Sequence, residues 1–435
     1  MNIAYVCTDF GIPVHGAKGA SIHVRELSRA LAEAGHAVRI YTPRAGGPPP
    51  PGFHVAVREV PLDAAGRRVF DAIAADPAAG RPVAAAVRAL AYAGALPHRI
   101  AAEVAAFAPD VVYERHALFG TAGLALARVL GVPLVIEVNA PLADEHAQHR
   151  GLAFPEAARL IERETLRAAD HVLPVSDALG DWLAGLGVDR ARITMLPNGV
   201  DPRRFAVGDA ARQAARDAIG VPLDRTVVGF VGTLKPWHDV AALVRAVGDL
   251  AGRGAAVHLL VVGDGPERAA LEALAGACGL AGAATFTGAV PHDAVPAWTA
   301  AMDVAVAPYA AGDDAYFSPL KVFEAMAAGR PVVAAAVGQL PRVVRHGETG
   351  LLYDPADATS LAAALRALVD DPGLAGWLGA AGREWVARHR TWRHNADRVA
   401  DIAAGLAHAP VRAVLGAARG GDARDVPPPA AARIA

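Results

Sequence analysis

The chain alternates between two hydrophobic rhythms. Short apolar runs, bounded by glycine, proline or polar turns, give way to stretches in which apolar residues recur at helical spacing. The first pattern predicts buried strands and the second predicts amphipathic helices. In the first half, strands are predicted near 3–8, 37–42, 111–114, 134–138, 171–175 and 193–196. Helices fill the gaps, including 21–34, 156–168 and 177–186. The stretch 46–52 holds four consecutive prolines and must be a loop. From 62 to 106 the pattern is helical but irregular, with breaks expected at Pro77, Pro82 and Pro97.

A second series then begins. Strands are predicted near 227–231, 257–262, 284–287, 304–307, 332–335 and 351–353, and helices near 239–251, 267–277, 294–300, 318–328 and 358–369. Strands that alternate with helices argue for parallel sheets built from βαβ units. Two complete series predict an α/β chain of two doubly wound Rossmann-like domains. The division expected is 1–203 and 204–390, with a helix in 391–408 packing back on the first domain. The Ala/Pro/Arg/Gly-rich tail 409–435 has little to bury and is expected to be mobile. Ligands of such sheets bind at the carboxyl ends of the strands, so the cleft between the domains is the expected site.

Composition narrows the class. The 435 residues are 53% hydrophobic, enough for two sizeable cores, and the formal net charge of −2 gives no basic excess for nucleic acid. The two cysteines, Cys7 and Cys278, are far apart and lack metal spacing. That excludes a disulfide framework and fits a cytoplasmic location. The N-terminus reads as a first strand rather than a signal peptide. No run of about 18 apolar residues predicts a membrane span. Peripheral contact with the inner face of a membrane stays open, although Glu26 and Glu33 dilute the charge of Arg25 and Arg29.

One segment carries the most chemistry. Ser318-Pro319-Leu320-Lys321-Val322-Phe323-Glu324 opens a helix that ends at Gly329, with an apolar strand behind it. Ser318 is expected to be the N-cap and Pro319 the first helical residue. The first turn then offers free N–H groups and a positive dipole end to an anion. Of these, Pro319 has no N–H, so the donors are Leu320 and Lys321. Lys321 and Glu324 project from one face. The pattern fits a nucleotide clamp and an ordinary surface ion pair about equally. Gly16 to Ser21, between the first strand and its helix, is similarly either a phosphate-approaching loop or a tight turn. Val262-Gly263-Asp264-Gly265-Pro266-Glu267-Arg268 is not a dinucleotide fingerprint, because Arg268 occupies the third glycine position.

The ordered set of motifs decides between these readings. Gly229-Phe230-Val231-Gly232-Thr233-Leu234-Lys235-Pro236-Trp237-His238, Val262 to Arg268, Phe286-Thr287-Gly288-Ala289-Val290, Ser318 to Pro331 and Gly347-Glu348-Thr349-Gly350-Leu351-Leu352 resemble the family 4 glycosyltransferases. Pro197-Asn198-Gly199-Val200-Asp201 and Gly16 to Leu27 extend the resemblance into the first half. It covers roughly residues 1–405. It implies a GT-B fold and retaining, metal-independent sugar transfer with no cofactor. The donor would be a nucleotide sugar. The acceptor would be a hydroxyl on a glycan, a lipid-linked molecule or a small metabolite.

The resemblance also assigns roles. Gly16 and Gly19 would line the donor diphosphate, with Lys18 and His23 as weaker candidates. Ser318, Leu320 and Lys321 would hold the diphosphate from the other side. Gly288 to Pro291, with Val290, would meet the base through backbone groups. Glu324 matches the second glutamate of the family's E-x7-E pattern and would accept from the ribose diol. Tyr316 stands at the first glutamate position, so the sugar contact falls to Lys321, Asp313, Asp314 or backbone N–H groups. Where many relatives carry a phosphate-clamping arginine and lysine, this chain has Thr233 and His238. His238 would donate to phosphate while charged part of the time, and Lys235 would supply fixed charge. Asn139 replaces a histidine near the reacting centre and would orient a hydroxyl, with Glu137 and Glu145 as bases or acceptor contacts, although Glu137 reads equally well as a satisfied strand-end carboxylate. The departures at Thr233, His238, Tyr316 and Asn139 keep two other readings open: a GT-B epimerase, and a nucleotide-sugar-binding protein without turnover.

Overall fold

The computed structural model describes residues 1–222, 224–312 and 316–407. Asp313, Asp314 and the tail 409–435 lie outside the described residues. Among the described residues, twelve strands form two six-stranded parallel sheets. The first holds β1 (Asn2–Cys7), β2 (Ala37–Thr42), β3 (Ala56–Glu59), β4 (Val111–Arg115), β5 (Leu134–Val138) and β6 (His171–Pro174), in the order β3-β2-β1-β4-β5-β6. The second holds β7 (Thr226–Val231), β8 (Val257–Val262), β9 (Ala284–Phe286), β10 (Val304–Ala307), β11 (Val332–Ala335) and β12 (Leu351–Tyr353), in the order β12-β11-β10-β7-β8-β9. Each sheet reverses its strand order beside its first strand, between β1 and β4 and between β7 and β10. That switch point is where doubly wound sheets open a crevice.

Two expectations about elements change. The predicted strand at 193–196 is reduced to one isolated bridge between Ile193 and Val172. The strand Ala56–Glu59 is largely exposed and short, so its hydrophobic signal is weak. The irregular helical stretch resolves into helices Ala64–Ala75 and Gly80–Phe107. Pro82 sits in the first turn of the second helix, where its missing N–H has no partner to lose. Pro97 is inside that helix without ending it. Its neighbours Tyr92, Leu96, Ile100 and Val104 are buried along one stripe, and that packing outweighs the lost hydrogen bond.

The chain crosses between domains twice. It leaves the first domain through Asn198-Gly199-Val200 and returns through Arg390-Thr391-Trp392 into a final helix, Trp392–Ala407. The two crossings touch. The Val200 N–H donates to the Arg390 carbonyl at 2.9 Å, and the Trp392 N–H donates to the Val200 carbonyl at 3.2 Å. The final helix packs on helix Gly19–Glu33 of the first domain, burying Trp392, Ala396, Val399 and Ala403 in the core under β1. That spacing of four, three and four residues is one helical face. Burial of Trp392 and Val399 contributes about 1.5–3 kcal/mol each.

Gly199 is required by this crossing. A Cβ there would stand 2.6 Å from the Trp392 nitrogen and 2.7 Å from the Thr391 carbonyl carbon, both backbone atoms. Gly199→Ala should therefore destabilise the protein by about 2–4 kcal/mol, read as a lowered denaturation midpoint. A variant as stable as the parent would show that the two crossings can separate freely.

Candidate functional site

A cavity of about 820 Å³ lies between the domains. The second domain lines it with Val231 to Thr233 after β7, Val262 to Asp264 after β8, Tyr309 to Gly312 after β10, and the start of helix Leu320–Ala327. The first domain contributes Ala17, Gly19 and Ile22 after β1, and Glu145 and Gln148 to Arg150 after β5. Every segment lies at the carboxyl end of a strand.

The start of helix Leu320–Ala327 differs from expectation. Ser318 is not its N-cap; Pro319 occupies that position and no side chain caps the helix. The Ser318 hydroxyl instead accepts from the Asn198 N–H at 2.9 Å, and the Ser318 carbonyl accepts from the Asn198 side-chain amide at 2.8 Å. Ser318 still lines the cavity, but its polar atoms hold the domain link. The Leu320 N–H is spent on the Ser318 carbonyl at 3.1 Å, so the Lys321 N–H is the donor left for a ligand.

Lys321 dominates the electrostatics. Its Nζ is shut off from solvent with no hydrogen-bond partner. It lies 4.5 Å from the centre of the Phe230 ring and 5.1 Å from that of Tyr309. Burial pushes its pKa down to about 7, against a smaller pull upward from Glu324. Ring faces attract an ammonium but do not replace water or an anion. The cavity therefore carries an unmet cation at the mouth of a helix.

His238 lines the cavity beside this cation. Its Nδ1 meets the Thr233 carbonyl at 2.6 Å, and burial together with Lys321 lowers its pKa to about 3. The ring is therefore neutral at pH 7, not partly charged as expected. A carbonyl can only accept, so Nδ1 carries the proton and Nε2 is an acceptor. A neutral His238 in this tautomer accepts from a hydroxyl and does not donate to phosphate. Lys235 is outside the cavity wall, with its ammonium 5.7 Å from the centre of the Trp237 ring. The cation in the cavity wall is Lys321 instead, and with a pKa of about 7 it takes up its full charge only with an anion beside it.

Other residues also shift role. Gly19 lines the cavity and faces Leu320 across it, at 4.0 Å from a Cβ built on the glycine to Leu320 Cδ1. Gly16 does not line it; its N–H is spent on the Pro13 carbonyl and its carbonyl accepts from Arg25. Asn139 is likewise outside the wall and donates to Glu137 Oε1 at 2.5 Å. Glu137 also accepts from His23, Tyr113 and Arg115. Burial alone would raise its pKa, but His23 and Arg115 outweigh burial and hold it far below the usual carboxylate range. A carboxylate so engaged is no general base. Glu145 does face the cavity, but its oxygens are engaged by the Tyr316 hydroxyl at 2.9 Å and Arg150 at 2.6 Å.

Glu324 and Val290 line the cavity. Glu324 Oε1 is 3.5 Å from His292 Nε2, and His292 Nδ1 is 3.3 Å from Arg204. An arginine only donates, so Nδ1 accepts and Nε2 carries the proton toward Glu324. Arg204 in turn donates to Glu26 at 2.5 Å. Neither His292 nor Arg204 was expected at the site. His292 directly follows the Gly288 to Pro291 segment, which is the signal that could have marked it. Arg204 carries no local signal, since its partners are 178 and 88 residues away.

Two domains, each built on a parallel sheet, that face each other across a cation-bearing cleft at their strand ends form a GT-B fold. Residues 17–204 match the family model described as Glycosyltransferase Family 4, and residues 225–371 match Glycosyl transferases group 1. The chain is 33% identical over 311 residues to a 2-deoxystreptamine glucosyltransferase of Streptomyces kanamyceticus, spanning 68% of this chain and 75% of that one. It is 34% identical over 267 residues to a GDP-mannose-dependent alpha-(1-6)-phosphatidylinositol monomannoside mannosyltransferase of Mycobacterium tuberculosis, spanning 61% of this chain and 69% of that one. The structure of a sucrose-phosphate synthase from Thermosynechococcus elongatus superposes with a TM-score of 0.71 at 25% identity, covering 93% of this chain and 98% of that one. The chain belongs to the family 4 glycosyltransferases. Among the described residues, no helix is long and apolar enough to cross a membrane.

Lys321→Met tests the site. Methionine keeps apolar contact with Phe230 and removes the desolvated ammonium, so the ligand-free variant should be more stable than the parent. The sign follows from the lowered pKa. The folded state resists protonation, so the cost of Lys321 is full below about pH 7 and fades as pH rises toward the unfolded value near 10. The stability gain should be largest at or below pH 7 and shrink above it, as measured by denaturation at several pH values. UDP and GDP binding should fall at least 30-fold by calorimetry. Unchanged nucleotide affinity would remove Lys321 from the site.

Proposed function

We propose that the protein transfers a sugar from a nucleotide-sugar donor to an acceptor hydroxyl with retention at the anomeric carbon. The observation that carries this reading is the unpartnered Lys321 ammonium in the cavity wall, beside the Lys321 N–H. A diphosphate supplies the anion that both lack. As the bond from the anomeric carbon to the phosphate oxygen breaks, charge builds on the leaving diphosphate. Lys321 and the helix N-terminus stabilise that charge in place of a metal ion. Glu324, held by His292, accepts from the ribose diol. Backbone groups near Val290 meet the base. His238 Nε2 accepts a sugar or ribose hydroxyl.

The acceptor hydroxyl approaches from the face the diphosphate leaves and gives its proton to the departing phosphate oxygen. This front-face route needs no carboxylate nucleophile. It suits a cleft in which Glu145 is already engaged and whose wall Glu137 does not reach. The reading places the enzyme in the cytoplasm, and at the inner face of the membrane if the acceptor is lipid-linked. It needs no cofactor. Lys235 and Asn139 have no part in it.

A donor screen with and without acceptors tests the proposal. Acceptor-dependent release of nucleoside diphosphate, undiminished by EDTA, is expected, with the product's anomeric configuration matching the donor's by NMR. Glu324→Gln should cut kcat/KM about 10–100-fold, mainly through donor affinity. Inverted product, or donor conversion without acceptor, would overturn the reading.

A further inference from the structure

A second cavity, of about 290 Å³, opens in the first domain at the carboxyl ends of β1 and β4. Arg150 lines both cavities, so they adjoin. Most of the wall is apolar, including Phe10, Leu118, Phe119 and Leu152. Its charged and titratable groups are Arg81, Arg88, Arg150, His146 and Asp9.

Three of these are accounted for. Arg150 pairs with Glu145. Burial and then Arg150 lower the pKa of His146, which disfavours a charge on its ring. Asp9 Oδ1 accepts from the Gly11 N–H at 2.6 Å. Arg88 is different. Its guanidinium carbon lies 4.2 Å from the centre of the Phe10 ring and 4.7 Å from that of Phe70. Its Nε is buried with no hydrogen-bond partner. Asp9 is near enough to raise the Arg88 pKa against the larger effect of burial, yet the two form no ion pair. Arg81 makes no ion pair either among the described residues.

The two rings hold the Arg88 plane and leave its N–H edge for another partner. A guanidinium fork fits a phosphate or carboxylate, and the partial burial of Arg88 strengthens its pairing, while Arg81 is exposed. Two unpaired arginines against one carboxylate favour an anion and repel an amine. We propose that the acceptor carries an anionic group, phosphate or carboxylate, which Arg88 and Arg81 hold in this second cavity. The acceptor's hydroxyl then reaches past Arg150 toward the donor. The inference rests on the transferase reading of the larger cavity.

The test uses matched probes with the full chain: glucose and glucose 6-phosphate, glucose and glucuronate, and myo-inositol and myo-inositol 1-phosphate. Phosphatidylinositol in mixed micelles forms the lipid arm. Binding is read by saturation-transfer NMR, and turnover by nucleoside diphosphate release with UDP-glucose and GDP-mannose. At least one anionic probe should bind or react ten-fold better than its neutral partner. Arg88→Gln should erase that preference and Arg88→Lys should restore part of it, whereas a purely structural role would weaken both members alike. Activity with the micelles alone assigns the anion to a lipid headgroup; activity with a soluble phosphate or carboxylate assigns it to a free metabolite. A preference for neutral probes, or no binding by any anionic probe, would overturn the inference. UDP and GDP binding, measured alongside, separates the two failures. If nucleotide binding is intact but no anionic preference appears, only this inference falls. If nucleotide binding is absent, the reading of the larger cavity falls as well.

Discussion

The site depends on a buried polar path that fastens the two domains together. It starts at Glu137 on β5, runs through His23 on the first helix to the Asn198 side chain at 2.6 Å, and ends on both polar atoms of Ser318. Each polar group along it is satisfied by the next. Removing one partner would strand the others away from water, which costs far more than one exposed hydrogen bond gains. The path leaves from the face of helix Gly19–Glu33 that also carries Glu26, the anchor of the Arg204–His292–Glu324 chain. One helix of the first domain therefore orients both the start of the ligand-binding helix and its carboxylate. Trp392 closes over His23 edge-on at 4.9 Å, so the returning chain seals the same junction.

Within that frame the larger cavity is electrostatically incomplete. Lys321 has lost water and gained two aromatic rings, which hold a cation in place without neutralising it. The neutral His238 beside it follows from the same cause, because a second charge in this dry corner would be repelled. The cleft therefore concentrates its positive charge at one point, next to a free helix N–H. Preorganised charge of this kind acts at the moment a leaving group becomes negative.

The departures from the family pattern become intelligible as contacts. Tyr316, at the position of an expected glutamate, reaches across the cleft and ties the domains by a hydrogen bond from its hydroxyl to the Glu145 carboxylate. Asn139 does not replace a catalytic group; it completes the shell of Glu137. Gly263 and Gly265 lie against the backbone of Gly232 and Leu234, where a Cβ would collide, so that glycine motif serves packing. The partner of Tyr316 lies in the other domain and those of the two glycines at another strand end, while that of Asn139 is two residues away and is selected by the folded geometry.

Periodicity and the order of motifs determined the two parallel sheets apart from the edge strand Ala56–Glu59, the cleft as the site and the helix beginning near Ser318. These are local or nearest-neighbour properties. Strand runs, helical stripes and turn residues record them within about 20 residues, which is the span of one βα unit. Glu324, Lys321, Gly19 and Val290 were legible through the ordered set of motifs and the family resemblance it carries. Tertiary structure alone decided which polar groups stay free. Ser318, Gly16, Asn139 and Glu137 have suitable chemistry, but folding spends it on neighbours; Lys321 and Arg88 are left without an anion. Whether a donor or acceptor is already satisfied depends on atoms as near as two residues, for Asn139, and as far as 120, for Ser318, and only the folded geometry decides which of them come within reach.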